Sequence, residues 1–293
     1  MSPSIGRVVT AMVTPFDERG DLDLHAAVEL ANWLVENGSD GLVLAGTTGE
    51  SPTLTESEEL VLFRTVREAV SVPVVAGAGS NSTATAVEQT RRASETGVDA
   101  ILSVAPYYNR PSQAGLEAHF RAVAAATDLP VLLYDIPGRT GRKIATDTIL
   151  RLAHEVPNIV GLKDAAGDPG ETARLISRAP AGFEVYSGDD PLTLPLMSVG
   201  AVGVISVASH WVGRQMGEMI QAFVKGDTAA AQRINAGLVD SFDYETGDDA
   251  PNPIPTKALL RVLGLKVGEC RPPMGPAPAD LADRARSVLE GLS

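Results

Sequence analysis

Eight short apolar runs, each followed by a longer amphipathic stretch, constrain this chain more than any other feature of its sequence. The runs occupy residues 7–12, 41–46, 73–79, 100–105, 130–135, 159–164, 183–188 and 201–207. Each is rich in Val, Ile, Leu and Ala with little polar alternation, the pattern of parallel strands buried on both faces. Helical patterns lie between them, among them 24–37, 55–70, 84–96, 115–127 and 147–155, and Gly or Pro ends most of these. Seven such intervals, at roughly 25–30 residues per strand–helix unit, match an eightfold (β/α)8 TIM barrel of the α/β class. A doubly wound sheet is the competing architecture, but it seldom needs eight such even repeats. Beyond residue 207 the pattern turns wholly helical, at 210–225, 228–241, 256–263 and 279–292, with a Pro/Gly-rich break at 272–278. The expectation is a barrel over residues 1–225, closed by the helix at 210–225, with a small C-terminal helical region, 226–293, packed on it.

Composition narrows the partners. The chain has 293 residues, 44% hydrophobic and 21% charged, so it can bury a large core without a metal or disulfide to staple it. Cys270 stands alone, cannot form an internal disulfide, and has no His/Asn setting in sequence that would make it a nucleophile. The formal net charge of -13 argues against nucleic acid and against an anionic membrane surface. It also gives weight to any single Lys or Arg near a strand end. The opening stretch MSPSIGRVVTAMVTPF lacks a signal-peptide core, and no apolar run is long enough for a bilayer, so a cytoplasmic protein is expected. The four histidines, His25, His119, His154 and His210, are scattered without metal-ligand spacing, and no metal is expected.

In such a barrel, side chains at the C-terminal ends of strands face the functional site. Lys163 lies in Ile159-Val160-Gly161-Leu162-Lys163-Asp164, an otherwise apolar strand. An ammonium in a dry interior is costly, which favours the neutral amine, and a neutral amine attacks a ketone to give an imine. The alternative is a strand-end lysine that reaches solvent or pairs with Asp164. Tyr134 ends the preceding strand, where a phenol could shuttle the protons that imine formation requires. Thr47 and Thr48, between Gly46 and Gly49, form a turn with two hydroxyls and approachable amides, suited to a carboxylate. Thr55, three residues before Glu58, already supplies the capping box of the next helix and frees that turn from the task. Arg139, after Pro137-Gly138, suits bidentate capture of a second carboxylate. Tyr107 and Tyr108 follow the fourth strand, where interface packing is an equal reading.

With these residues side by side, the sequence resembles the dihydrodipicolinate synthase and N-acetylneuraminate lyase family of class I pyruvate aldolases. The resemblance runs from Thr14-Pro15-Phe16 to Asn252-Pro253-Ile254-Pro255-Thr256-Lys257. It implies that Lys163 is the Schiff-base lysine and Tyr134 the proton donor and acceptor. Thr47 and Tyr108 would complete the relay, with Tyr108 reaching in from a neighbouring subunit. Thr48 would hold the pyruvate carboxylate with help from the backbone at Ile205 and Gly188, and Arg139 would receive the carboxylate of aspartate β-semialdehyde. The implied activity is a lyase-type condensation giving 4-hydroxy-tetrahydrodipicolinate, in lysine and diaminopimelate biosynthesis. The imine serves as electron sink, so no cofactor is implied. A homotetramer built as a dimer of dimers is the implied assembly.

Arg139 favours, within the family, a condensation whose aldehyde partner carries a carboxylate. One departure concerns regulation. Relatives inhibited by lysine carry histidines where this chain has Glu56 and Glu59, and an acidic residue where it has Thr85, so weak or absent lysine feedback is expected. Two other readings remain open: a pyruvate-dependent aldolase or hydratase-aldolase on a sugar acid or aromatic aldehyde, and a non-catalytic keto-acid-binding relative. The intact lysine, tyrosine and threonine set argues against the latter.

Overall fold

The computed structural model describes residues 3–292; residues 1, 2 and 293 of the two expected ranges lie outside the described residues. Strands β1 (Val8–Ala11), β2 (Gly41–Leu44), β3 (Val74–Gly77), β4 (Ala100–Val104), β5 (Val131–Asp135), β6 (Ile159–Asp164), β7 (Glu184–Ser187) and β8 (Gly203–Ser206) pair in sequence order. Every pairing is parallel, and β8 returns to β1, so the barrel closes. Each strand falls within one of the eight expected runs. Continuous apolar runs suffice here because both faces of every strand are covered.

The helices between strands are α1 (Leu24–Glu36), α2 (Glu56–Ala69), α3 (Thr83–Ser94), α4 (Gln113–Ala124), α5 (Pro137–Thr140), α6 (Thr146–Glu155), α7 (Pro169–Ile176) and α8 (Thr193–Ser198). Local chemistry sets their starts. Asp23, Ser82, Ser112 and Asp168 each accept a backbone amide of the first turn, and Thr55 with Glu58 forms the full capping box. Ser112 also explains why α4 begins ahead of the expected residue 115: its hydroxyl caps Gly115 N and pulls the first turn upstream. The single turn α5 has no counterpart in the expected pattern, and it carries Arg139.

Side chains alternate across the barrel wall. Val9, Ala11, Val43, Val75, Leu102, Leu132, Tyr134, Tyr186 and Ile205 fill the interior. Leu42, Leu44, Ile101, Leu133, Leu162 and Val185 face outward against the helical ring. Each fully buried Leu or Ile in that layer contributes about 1.5–3 kcal/mol.

Helix α9 (Ser209–Val224) closes the ring, and α10 (Thr228–Tyr244), α11 (Ile254–Val262) and α12 (Leu281–Gly291) pack on it through Trp211, Met216, Phe242, Leu259 and Leu281. Among the described residues no helix is long and apolar enough to cross a membrane. Cys270 is half-buried, and burial, reinforced by Glu50, pushes its thiol up to about 12, so it stays a thiol.

Candidate active site

The register across β4–β7 places Val104, Tyr134, Lys163 and Tyr186 side by side, and Tyr134, Lys163 and Tyr186 all sit on the inner face. Lys163 is only 6% exposed, so it does not reach solvent, and its Nζ lies 4.4 Å from the centroid of the Tyr134 ring. Nor does it pair with Asp164. That carboxylate points outward, accepting Thr172 Oγ1 at 2.6 Å and Ala166 N at 3.0 Å. Lys163 makes no salt bridge among the described residues, which leaves its amine facing an aromatic wall. Gly188 belongs to this arrangement for steric reasons: a side chain there would meet Lys163 Cε and Cγ at 3.0 Å. Its N–H donates to Asp164 O at 2.7 Å, so what Gly188 can offer a ligand is its carbonyl. Ile205 is fully buried in the same interior.

Above Tyr134 opens a cavity of about 250 Å³, walled by Gly46, Thr47, Ser51, Gly77, Val104, Tyr107, Tyr134, Ile136 and Arg139. Lys163 and Thr48 are not wall residues; both are buried, and Tyr134, a wall residue, links Lys163 to the cavity. The Gly46–Gly49 turn is bracketed by two residues in the left-handed region, Ala45 at φ 48° and Glu50 at φ 57°. Backbone of this kind is strained for a residue with a Cβ and persists where the surroundings over-determine it. Several contacts do so here. Thr14 Oγ1 donates to Gly49 O at 2.6 Å, and Asn252 Nδ2 donates to Thr48 Oγ1 at 2.9 Å. Glu50 is gripped by Lys257 Nζ at 2.7 Å and by Arg271 N at 2.8 Å. Lys257 and Arg271 both stack over Phe16, each 4.2 Å from its ring centroid. The Thr14-Pro15-Phe16 and Asn252–Lys257 motifs thus meet behind the threonine turn.

Arg139 stands exposed at the cavity mouth and makes no salt bridge among the described residues. Tyr107 lines the cavity, whereas Tyr108 is 90% exposed, at φ 72°, with its amide donating to Thr140 O at 3.2 Å. Tyr134, Thr47 and Arg139 therefore line one cavity, with Lys163 against Tyr134, and Tyr108 is not among the lining residues. Among the described residues no group of His, Cys, Asp or Glu could hold a metal. Asn252 and Lys257 entered the sequence reading only as parts of a motif, and Glu50 was not singled out in it. Their contacts to the site span some two hundred residues of chain, for which no local signal exists.

Beside the mouth, Glu56 pairs with Arg92, Thr85 is exposed on the first turn of α3, and Glu59 is buried with Ser51 Oγ donating to its Oε1 at 2.9 Å. Burial lifts the Glu59 carboxyl to about 7, with Glu56 and Glu58 adding repulsion. Arg92 and Arg271 are occupied by Glu56 and Glu58 and do not offset this. A raised folded pKa means the stabilising protonated form is complete below the unfolded value of 4.5 and lost as pH rises through 7. Glu59→Gln, which stays neutral, is expected to be more stable than wild type by up to about 3 kcal/mol at pH 8 and close to it at pH 5. Urea denaturation at both pH values checks this; equal midpoints at pH 8 contradict it.

Comparison with known proteins follows the same line. A family model described as the Dihydrodipicolinate synthetase family matches residues 4–291. A 4-hydroxy-tetrahydrodipicolinate synthase of Thermosynechococcus vestitus is 50% identical over 292 residues, 98% of this chain and 97% of that one. The crystal structure of a dihydrodipicolinate synthase from Bacillus anthracis superposes with a TM-score of 0.94 at 46% identity, covering 98% of each chain. One from Cyanidioschyzon merolae, with lysine bound, gives a TM-score of 0.96 at 47% identity, covering 99% of each. A lysine-bearing barrel with a threonine turn, matched along nearly its whole length, belongs to the dihydrodipicolinate synthetase family.

Proposed function

We infer that the chain condenses pyruvate with L-aspartate β-semialdehyde to 4-hydroxy-tetrahydrodipicolinate, the entry to lysine and diaminopimelate, through an imine at Lys163. The observation that carries this reading is Lys163 itself: buried, without a carboxylate partner among the described residues, its Nζ against Tyr134, which lines a cavity that also presents Thr47 and Arg139.

The chemistry runs from the residues. Thr48 donates to the pyruvate carboxylate, with the Ile205 backbone beside it; Gly188, whose amide is spent on Asp164 O, offers only a carbonyl and does not hold that carboxylate. Lys163 Nζ attacks the C2 ketone, and Tyr134 passes the proton with which the carbinolamine hydroxyl leaves as water, giving the imine. Thr47 and the Tyr108 of a neighbouring copy complete the relay that returns this proton. Loss of a methyl proton gives the enamine, whose carbon attacks the aldehyde held by Arg139. The amine of the second substrate then adds to C2 and displaces Lys163, closing the ring. The imine is the electron sink, so the chain's own residues suffice.

Assembly as a homotetramer, a dimer of dimers, is part of the same proposal. Its support is Tyr108: a tyrosine held out at 90% exposure in a strained conformation needs a neighbouring protein surface to be of use. Weak or absent response to lysine is likewise proposed, supported by Glu56 and Glu59 being engaged with Arg92 and Ser51.

Arg139→Ala tests the aldehyde. Losing a charge-assisted pair to a carboxylate removes about 1.5–3 kcal/mol, so the KM for aspartate β-semialdehyde is expected to rise by roughly 10- to 150-fold. Borohydride trapping of pyruvate should be unchanged. A variant with wild-type KM for this aldehyde would favour an aldolase acting on a different partner.

A further inference from the structure

Thr48 is joined to the C-terminal helical region, 204 positions away in sequence, by one buried hydrogen bond. Asn252 Nδ2 donates to Thr48 Oγ1 at 2.9 Å, with Asn252 8% and Thr48 3% exposed. A hydroxyl has one proton to give and two lone pairs to fill. With Asn252 filling a lone pair, the Thr48 proton must go to some other acceptor. We propose that Asn252 is a positioning residue for pyruvate capture, fixing Thr48 so that its proton is committed to the substrate carboxylate.

The segment that carries Asn252 is anchored to do this. Asn252 N donates to Thr246 Oγ1 at 3.3 Å. Five residues further on, Lys257 Nζ grips Glu50 Oε1 at 2.7 Å, both side chains 1% exposed, and donates to Glu269 O at 3.0 Å. Glu50 directly follows the Gly46–Gly49 turn, so the C-terminal region holds both the donor threonine and the end of its loop. Burial lowers the Lys257 pKa, opposed by Glu50, which is the balance expected of a pair whose partners hold each other in place. The C-terminal region is thereby part of the pyruvate site rather than a cover for the barrel's side.

The proposal rests on the reading of Thr48 as the carboxylate donor, and a double-mutant cycle separates the two. Asn252→Leu, Thr48→Val and their combination are titrated with pyruvate, reading the half-saturating concentration for borohydride trapping by intact mass. Thr48→Val and Asn252→Leu are each expected to raise it about tenfold, the combination no more than the larger single change, and the KM for aspartate β-semialdehyde should stay within about twofold. Asn252→Asp keeps the shape but can only accept, so it takes the Thr48 proton and is expected to weaken capture at least as much as Asn252→Leu.

If Thr48→Val weakens capture and Asn252→Leu does not, the Asn252 inference falls while the reading of Thr48 stands. Unaltered capture by Thr48→Val removes both. Effects that multiply in the double variant would make Asn252 an independent structural tether and overturn the inference. So would wild-type capture by Asn252→Asp.

Discussion

Lys163→Ala is expected to lose condensation by at least about 10⁴-fold and to give no borohydride-stable adduct with pyruvate, because the covalent step has no other amine to use. Lys257 is buried too, but it is bound to Glu50 Oε1 and Glu269 O behind the turn and faces Phe16, so it cannot substitute. The fold should survive. Lys163 makes no salt bridge among the described residues, its truncation strands no buried carboxylate, and Asp164 keeps its bonds to Thr172 and Ala166. Lys163→Arg sharpens the test, since a guanidinium fills the space without supplying a nucleophile. Thermal unfolding near the wild-type midpoint, together with lost turnover and lost trapping, is the expected combination. Turnover within tenfold of wild type in a folded Lys163→Ala variant contradicts an imine mechanism at this residue.

Tyr134→Phe is the second large effect. It keeps the ring that Lys163 Nζ lies over, 4.4 Å from its centroid, and removes only the hydroxyl. Packing against the interior is retained, so stability and the KM for pyruvate should change little. On the proposed mechanism, what is lost is the group that moves a proton as the carbinolamine expels water and as the aldehyde oxygen gains its proton. Removing a positioned acid–base group lowers rate by about 10²- to 10⁴-fold. The loss is expected in kcat, and pre-steady-state trapping should show adduct forming more slowly rather than to a lower final level. A kcat within threefold of wild type would assign the proton relay elsewhere, with Thr47 the first residue to test.

How much of this was legible in the sequence depends on whether a feature is local. The strands were, because a parallel barrel strand needs an unbroken apolar run and eight such runs recur evenly. Lys163 and Tyr134 stood out for the same reason, as polar groups at the ends of apolar strands. Alternation also decides that Asp164 points away from Lys163, but its tie to Thr172 required the packing of α7 against β6. Three features lay beyond reach. The one-turn helix that presents Arg139 is too short to leave a periodic trace. Glu59 reads as one of several acids in the first turns of α2, and only tertiary burial separates it from the half-buried Glu56 and Glu58. The Asn252–Thr48 and Lys257–Glu50 contacts join opposite ends of the chain, so no window of sequence contains both partners. Gly188 entered only through the family resemblance, and its polarity was not legible: the backbone of β6 takes its amide and leaves a carbonyl.

The central claim is a covalent bond between pyruvate and one particular lysine, and mass spectrometry reads it directly. The protein is incubated with pyruvate alone, reduced with borohydride, weighed intact and then mapped by peptide. The expected result is a single adduct with the mass of one pyruvate less one oxygen, on Lys163 and on no other lysine. An unmodified protein under saturating pyruvate, or an adduct mapped to Lys143, Lys225, Lys257 or Lys266, would contradict it.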